Sequence, residues 1–486
     1  MTSPSRPNIL FICTDQQRYD SLGCYGNHHI ETPTIDALAD EGVLFEQCYV
    51  QNPVCAPSRA SLATGQYPHN HGLWANGVAL PNHHRLFSRE LADHGYTCGM
   101  IGKMHLAACF DGRTEARLDD GYTYYRWAHD PSHGSPENDY HRWLEKRHPH
   151  LYERARANAK RVRHQAAGFD TIPTEGHYSR WASERAIEFL EQERTENEPF
   201  FLWVNFFDPH HPFSAPQEYL DRYDPDSLPD PIGTDGELDS KPPIQREASN
   251  ASYAGFARGF ADHSPDEIKA IIAAYYAMVS LIDDETKRIL DRLDALGLTE
   301  DTLVIFTSDH GEMLGDHRLL LKGPMLYEPA VRVPLIMRWP GHLPSGERRG
   351  EIVQWIDLTS TFLDAAGVDP MPTAQGTSLL PLARDEATET RGWALCEYRN
   401  SGHAYDPPVH ATMLRTGNHK LVVQHGAPAT TRPRTGELYD LAADPRELTN
   451  LWDDAGSSDI RIELERMLLD VLVATENRSA PREAHW

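Results

Sequence analysis

Two short polar pairs follow two apolar runs in this sequence. Asp15-Gln16 comes after residues 9–13, and Asp309-His310 closes the run 301–309. Two carboxylates, an amide oxygen and an imidazole together make a donor set for a divalent cation. Taken singly, each pair has a plainer reading, because a strand-ending aspartate also caps a turn or a helix. A third pattern is Cys55-Ala56-Pro57-Ser58-Arg59, running on through Leu62 to Thr64-Gly65. Pro57 suits the opening of a short helix and Gly65 its end. Cys55 would then lie at the positive end of that helix with Arg59 one turn along, which favours an anion beside the thiol. A buried structural cysteine is the alternative, and no adjacent histidine completes a Cys–His pair.

These groups need elements that bring them together. Residues 9–13, 200–206, 301–309 and, more weakly, 96–102 are continuous apolar stretches separated by helical ones. That pattern predicts an α/β fold: a large, mostly parallel sheet flanked by helices. Both polar pairs would emerge at its carboxyl edge, where ligands usually bind. Ser264-Pro265-Asp266-Glu267 has the N-cap, first-turn proline and N3 glutamate of a helix start, leading into an apolar-rich stretch from 268 to 290. Residues 179–192 suggest another helix. The polar segments 111–175 and 208–262 are too long for simple connections and are expected to wall or roof the site. After about residue 375 the texture changes. Short runs at 393–396, 413–415, 420–423 and 437–441 predict a smaller antiparallel sheet, and 460–474 a terminal helix. The expected division is a catalytic domain over 1–375 and a C-terminal subdomain over 376–486.

The 486 residues carry 46 Lys plus Arg against 72 Asp plus Glu, a formal net charge of −26. An acid excess of this size argues against nucleic-acid binding and against docking on anionic lipid. It does not exclude a small anionic substrate, since a local group of cations can reverse the field in one pocket. No apolar stretch approaches a membrane span, and residues 1–16 do not resemble a secretory signal. The seven cysteines, at 13, 24, 48, 55, 98, 109 and 396, show no paired short spacings. They predict reduced thiols and a cytoplasmic protein.

The C-x-P-S-R element with Leu62 and Thr64-Gly65 resembles the modification signature of the type I sulfatases. That family lies within the alkaline-phosphatase-like group, which also includes phosphonate monoester hydrolases. The likeness extends through residues 8–16, Gly102-Lys103-Met104-His105, Pro209-His210-His211-Pro212-Phe213 and 308–322. It continues in Glu437-Leu438-Tyr439-Asp440-Leu441, Asp444-Pro445 and Asn450-Leu451, so it covers nearly the whole chain.

The resemblance implies that a formylglycine-generating enzyme oxidises Cys55 to formylglycine, whose aldehyde hydrates to a geminal diol. One hydroxyl attacks sulfur or phosphorus and displaces the alcohol; the second collapses to the aldehyde and expels the anion. It further implies that Asp15, Gln16, Asp309 and His310 ligate one divalent cation together with the modified Cys55. Calcium is the family default and manganese the alternative. Asp309 would help deprotonate the nucleophile, and Arg59 would neutralise it. Lys103 and Lys322 would contact the ester, and His105 would hold or deprotonate the second hydroxyl. His210 would sit near the leaving oxygen, where it or Lys322 assists departure; the family pattern P-H-x-P favours it over His211.

Gln16 and His310 depart from the Asp and Asn of many sulfatases and are shared with phosphonate monoester hydrolases. Lys103-x-His105 matches sulfatases more closely. The expected function is therefore hydrolysis of sulfate monoesters, with phosphonate monoester or phosphodiester hydrolysis as the alternative. The substrate is a small anionic ester, and a homo-oligomer is left open. Asn76 and His71 are weaker candidates for the pocket wall. Tyr122, Tyr124, Tyr125, Trp127 and Trp143 either line a pocket for the leaving group or form their loop's own core.

Overall fold

The computed structural model describes residues 6–110, 112–159, 172–386 and 389–477. Its first strand, β1 (Asn8–Thr14), is buried from Ile9 onward. Ile9, Phe11 and Cys13 enter one core while Leu10 and Ile12 enter another. Successive strand residues face opposite sides, so an uninterrupted apolar run requires cover on both faces. β1 pairs in parallel with β5 (Phe200–Asn205) on one side and β6 (Thr302–Ser308) on the other.

Beyond β5 follow β3 (Thr97–Gly102) and β4 (Tyr124–Trp127), both parallel. Beyond β6 come β7 (Leu335–Arg338), β2 (Val43–Tyr49) and β8 (Glu347–Gln354). β7 runs antiparallel to both of its neighbours, so the sheet is mixed but mostly parallel. With the two-residue strand Arg332–Val333 beside β2, it has nine strands among the described residues.

The sequence reading found four of these strands. It passed over β2, interrupted by half-buried Glu46 and Gln47, and β8, whose residues Glu347, Arg348, Arg349 and Glu351 are mostly exposed. An edge strand exposes polar groups and carries charge, so it lacks the apolar signature of a central one.

The 31-residue helix Pro265–Ala295 starts in a complete capping box between Ser264 and Glu267 and packs on one face of the sheet. On the other face lie Cys55–Thr64 and Asp357–Ala365, packed against each other. In the C-terminal region β9 (Trp393–Arg399), β10 (His410–Thr416), β11 (His419–Gln424) and β12 (Thr435–Asp440) form an antiparallel sheet in sequence order. Leu395, Leu414, Leu421 and Leu438 on one of its faces meet Leu464, Leu468 and Val471 of the helix Ser458–Ala474. Cys396, Met413, Val422 and Tyr439 on the other face join the core of the large sheet. No helix among the described residues is long and apolar enough to cross a membrane.

Candidate active site

The register of the central strands sets the site. Thr14 lies opposite Ser308, and Cys13 opposite both Thr307 and Asn205. Asp15 and Asp309 therefore leave the sheet side by side at its carboxyl edge. The helix Cys55–Thr64 points its first residue at them. It begins two residues earlier than Pro57 suggested, because extended Val54 supplies the cap and its carbonyl accepts from Ser58 N at 3.1 Å. Gly65 ends it in the left-handed conformation, as expected (φ 68°).

Cys55 Sγ lies 3.1 Å from His310 Nε2, 3.1 Å from Lys322 Nζ and 3.6 Å from Asp15 Oδ1. One donor atom from each of Asp15, Cys55, Asp309 and His310 falls within 4.8 Å of the others, and all four residues are buried. Two carboxylates beside an imidazole nitrogen fit a divalent cation. His310 Nδ1 meets the Gly311 carbonyl at 2.9 Å; with its proton donated there, the Nε2 lone pair faces the cluster.

Arg59, fully buried, ties the group together. Its Nε donates to Asp309 Oδ2 at 2.7 Å, and its terminal nitrogens reach the Lys103 carbonyl, Asn205 Oδ1 and, at 3.5 Å, Asp15 Oδ2. Ser58 Oγ donates to the Asp309 carbonyl at 2.5 Å. Lys103 Nζ lies 2.6 Å from Asp15 Oδ2.

Burial and the neighbouring Cys55 thiol push the Asp15 pKa up. The Lys103 ammonium and the Arg59 guanidinium outweigh them and hold its carboxyl below the usual range. Burial likewise opposes ionisation of Cys55, yet the Lys103 and Lys322 ammonium groups bring its thiol well below the ordinary value. Anionic chemistry at position 55 is thus favoured by the surrounding cations. Burial lowers the imidazoles of His105 and His210, keeping them neutral donors or acceptors.

Gln16 occupies a left-handed backbone conformation (φ 70°) that turns its side chain into the site. Its Oε1 accepts from Lys322 Nζ at 2.7 Å, while its Nε2 meets Glu312 Oε2 and His211 Nδ1. Lys322 Nζ also reaches His210 Nε2 at 2.9 Å. His210 therefore faces Cys55 through Lys322, and His211 braces Gln16.

Above this floor opens a cavity of about 1520 Å³. Cys55, Lys103, His105, His210 and Asn76 line it, and Asn76 Oδ1 accepts from Ala56 N at 3.2 Å. Its walls come largely from the two long segments, through residues such as His129, Tyr140, Tyr152 and Phe256. His71 is not among the lining residues: it is fully buried behind the helix, meets Ser61 Oγ at 3.1 Å, and is pushed by burial down to about 3.

None of Tyr122, Tyr124, Tyr125, Trp127 or Trp143 lines the cavity; they pack into the two cores, and Tyr124 to Trp127 is the strand β4. The aromatic lining instead includes Tyr140, Tyr152, Tyr178, Phe207, Tyr253 and Phe256. Sequence reasoning also missed Glu312, Asn205 and Glu115. Asn205 ends β5 as Asp15 follows β1, a signal available in the sequence. Glu115, which accepts from the backbone of His105, Leu106 and Ala107, had none.

The Sulfatase family model matches residues 7–368, and a second, for the C-terminal region of N-sulphoglucosamine sulphohydrolase, matches 315–474. The chain is 32% identical to a protein of Escherichia coli described as the uncharacterized sulfatase YidJ, over 96% of this chain and 87% of that one. It is 30% identical to an arylsulfatase of Clostridium perfringens, over 92% and 90% respectively. Its fold superimposes on the phosphonate monoester hydrolase of Agrobacterium radiobacter with a TM-score of 0.83, at 27% identity, covering 98% and 97% of the two chains.

Proposed function

This chain belongs to the sulfatase family and is a sulfuric ester hydrolase, and we propose that Cys55, matured to formylglycine, is its nucleophile toward sulfate monoesters. The observation that carries the reading is the placement of buried Cys55 at a helix start, within 3.6 Å of Asp15, His310 and Lys322, on the floor of a large cavity. The matured residue supplies, as a hydrate, one hydroxyl to attack sulfur and a second that lets the resulting ester break down without a separate water attack. Asp15, Asp309, His310 and the side chain at position 55 would hold a divalent cation, with Gln16 turning its amide oxygen from Lys322 to join them. When bound, the cation lowers the pKa of the attacking hydroxyl and draws charge from the ester oxygens. Calcium is the ion we assign, and manganese the alternative that the His310 nitrogen favours.

The protein's own groups do the rest. Lys103 and Lys322 direct ammonium groups at the position of the sulfate oxygens. Arg59 fixes both ligand carboxylates. His210 Nδ1 lies 2.5 Å from the His211 carbonyl and donates to it, so its Nε2 accepts from Lys322. The proton nearest the leaving oxygen therefore sits on Lys322, whose ammonium His210 Nε2 holds in place. His105, neutral through burial, accepts a proton from the second hydroxyl. A cytoplasmic location belongs to the same proposal, supported by seven free cysteines.

Phosphonate monoester hydrolysis is the second reading, supported by the Agrobacterium structure and by Gln16 and His310. Protein co-produced with a formylglycine-generating enzyme decides between them. Mass analysis of the peptide containing Cys55 should find the aldehyde, and turnover under calcium and under manganese should be highest for a sulfate monoester. Full activity with an unmodified thiol would remove the nucleophile; a higher kcat/KM for phosphonate monoesters would establish the second reading.

A further inference from the structure

A second group of metal-competent donors stands in the cavity wall beside the nucleophile. His105, Cys109 and His129 offer two imidazole nitrogens and a thiol, all within 4.8 Å of one another. Cys109 Sγ is 3.1 Å from His129 Nδ1, and the His105 and His129 rings meet edge to face with centroids 4.6 Å apart. His105 is 6% exposed, and its buried Nδ1 has no hydrogen-bond partner among the described residues. An imidazole nitrogen buried without a partner is costly unless something else satisfies it.

The donors are held in place from behind. Glu115 accepts from the backbone of residues 105–107, and His133 Nε2 meets the Cys109 carbonyl. The Asp130 carboxylate lies 4.0 Å from His129 Nε2, on the ring edge opposite Cys109. At that distance the carboxylate does not hydrogen-bond the ring, but its charge favours a cation nearby.

We propose that His105, Cys109 and His129 bind a thiophilic divalent cation of the Zn2+ class, with a fourth position open to the cavity. Two imidazoles and a thiolate suit zinc, whereas the oxygen-rich set around Asp15 suits a harder ion, so the chain would sort two metals by donor chemistry. On binding, the Cys109 S–H bond breaks, its proton leaves to solvent and a sulfur–metal bond forms, with no change in oxidation state. Burial favours neutral His129, which leaves one ring nitrogen with a lone pair for the ion. Resting on the sulfatase reading above, occupancy would withdraw His105 from the nucleophile, so the ion acts as an inhibitor.

The test uses matured enzyme already loaded with its catalytic cation. Titration with Zn2+ should show one further equivalent bound and a matching loss of sulfate-ester turnover that a chelator reverses. Co2+ in its place should give a thiolate-to-metal charge-transfer band. Cys109→Ser and His129→Asn, each checked for native circular dichroism, should lose both the band and the further equivalent. Their apparent Kd for Zn2+ should rise at least by the roughly tenfold that even an outer-shell change costs. No further equivalent in the wild type, or Zn2+ binding and inhibition unchanged in both variants, would overturn the proposal. Cys109-dependent binding in a protein without sulfate-ester turnover would uphold the metal site and discard the activity reading instead.

Discussion

Lys103 serves two partners at once. Its ammonium neutralises Asp15 at 2.6 Å and also lines the cavity where the ester must lie. Burial works against its charge, but Asp15 and Cys55 raise its pKa above the ordinary lysine value, so it remains a cation throughout the working range. Lys103→Ala should lower kcat/KM for a sulfate monoester by roughly 10²–10³, the scale of losing one charge-stabilising donor. A sulfate ester presents three equivalent oxygens to the cations, whereas a phosphonate places carbon at one position. The loss should therefore be smaller for phosphonate esters; an equal loss on both substrates would remove Lys103 as the basis of selectivity.

Asp309 asks for a different substitution. Its carboxylate pairs with buried Arg59 at 2.7 Å, so Asp309→Ala would strand a guanidinium at a cost of about 3–5 kcal/mol. Asp309→Asn keeps an acceptor in place. It should hold the fold while metal content and turnover both fall at least about tenfold; full occupancy by metal analysis with unchanged turnover would exclude Asp309 as a ligand.

At the level of the element, the strand ends aim the side chains. Gly102 closes β3 with φ 94°, and a Cβ there would come within 2.3 Å of the Asn205 carbonyl oxygen. Asn205 in turn holds Arg59, and Lys103 follows directly. Gly102→Ala would add left-handed strain of about 1–2 kcal/mol to a clash with backbone that has no flexible end to yield. Its expected result is a lower Tm and a loss of turnover larger than the remaining folded fraction explains. Ser264→Ala is the contrasting case. It removes the N-cap of the 31-residue helix, which contributes no donor to the cluster, and should cost about 1 kcal/mol in unfolding free energy while leaving kcat/KM unchanged. The two variants, measured together, separate the stability of the scaffold from the aim of the site.

Across the whole molecule, the C-terminal sheet is fastened to the larger one by charge as well as by apolar contact. Lys420 of β11 lies fully buried, 3.0 Å from Glu328 and 2.7 Å from Glu447. Glu328 also accepts from Tyr49 of β2 at 2.9 Å, and its backbone N–H donates to Glu447. Burial opposes the charge on Glu328, but Lys420, Arg332 and Arg415 draw its pKa down to about 2. A carboxyl with a folded pKa below its unfolded value contributes stability above the unfolded value near 4.5 and loses it as pH falls toward 2. Lys420→Met should therefore destabilise the protein by about 3–5 kcal/mol at neutral pH by stranding buried carboxylates. The gap from wild type should close as the pH falls through that window. A gap independent of pH, in denaturant titrations at neutral and acid pH, would mean that Lys420 acts through packing alone.

The sequence by itself determined the elements whose residues carry their own signal. The central strands are apolar throughout because both faces are covered; the long helix announces its start at Ser264; and the short helix after Val54 has its end marked by Gly65. The ordered motifs carry the resemblance to the family and nominate Asp15, Gln16, Cys55, Asp309 and His310. The P-H-x-P pattern favoured His210 over His211 only by resemblance; the tertiary structure turns His210 toward Cys55 through Lys322 and sets His211 against Gln16. It placed His71 behind the helix and returned the aromatic residues at 122–127 and 143 to the cores, because an aromatic side chain in a long insertion suits a wall or a core equally well. It also brought His105 and Cys109 against His129, twenty residues further on. Register, loop path and side-chain direction arise from contacts between distant parts of the chain, and a local pattern does not encode them.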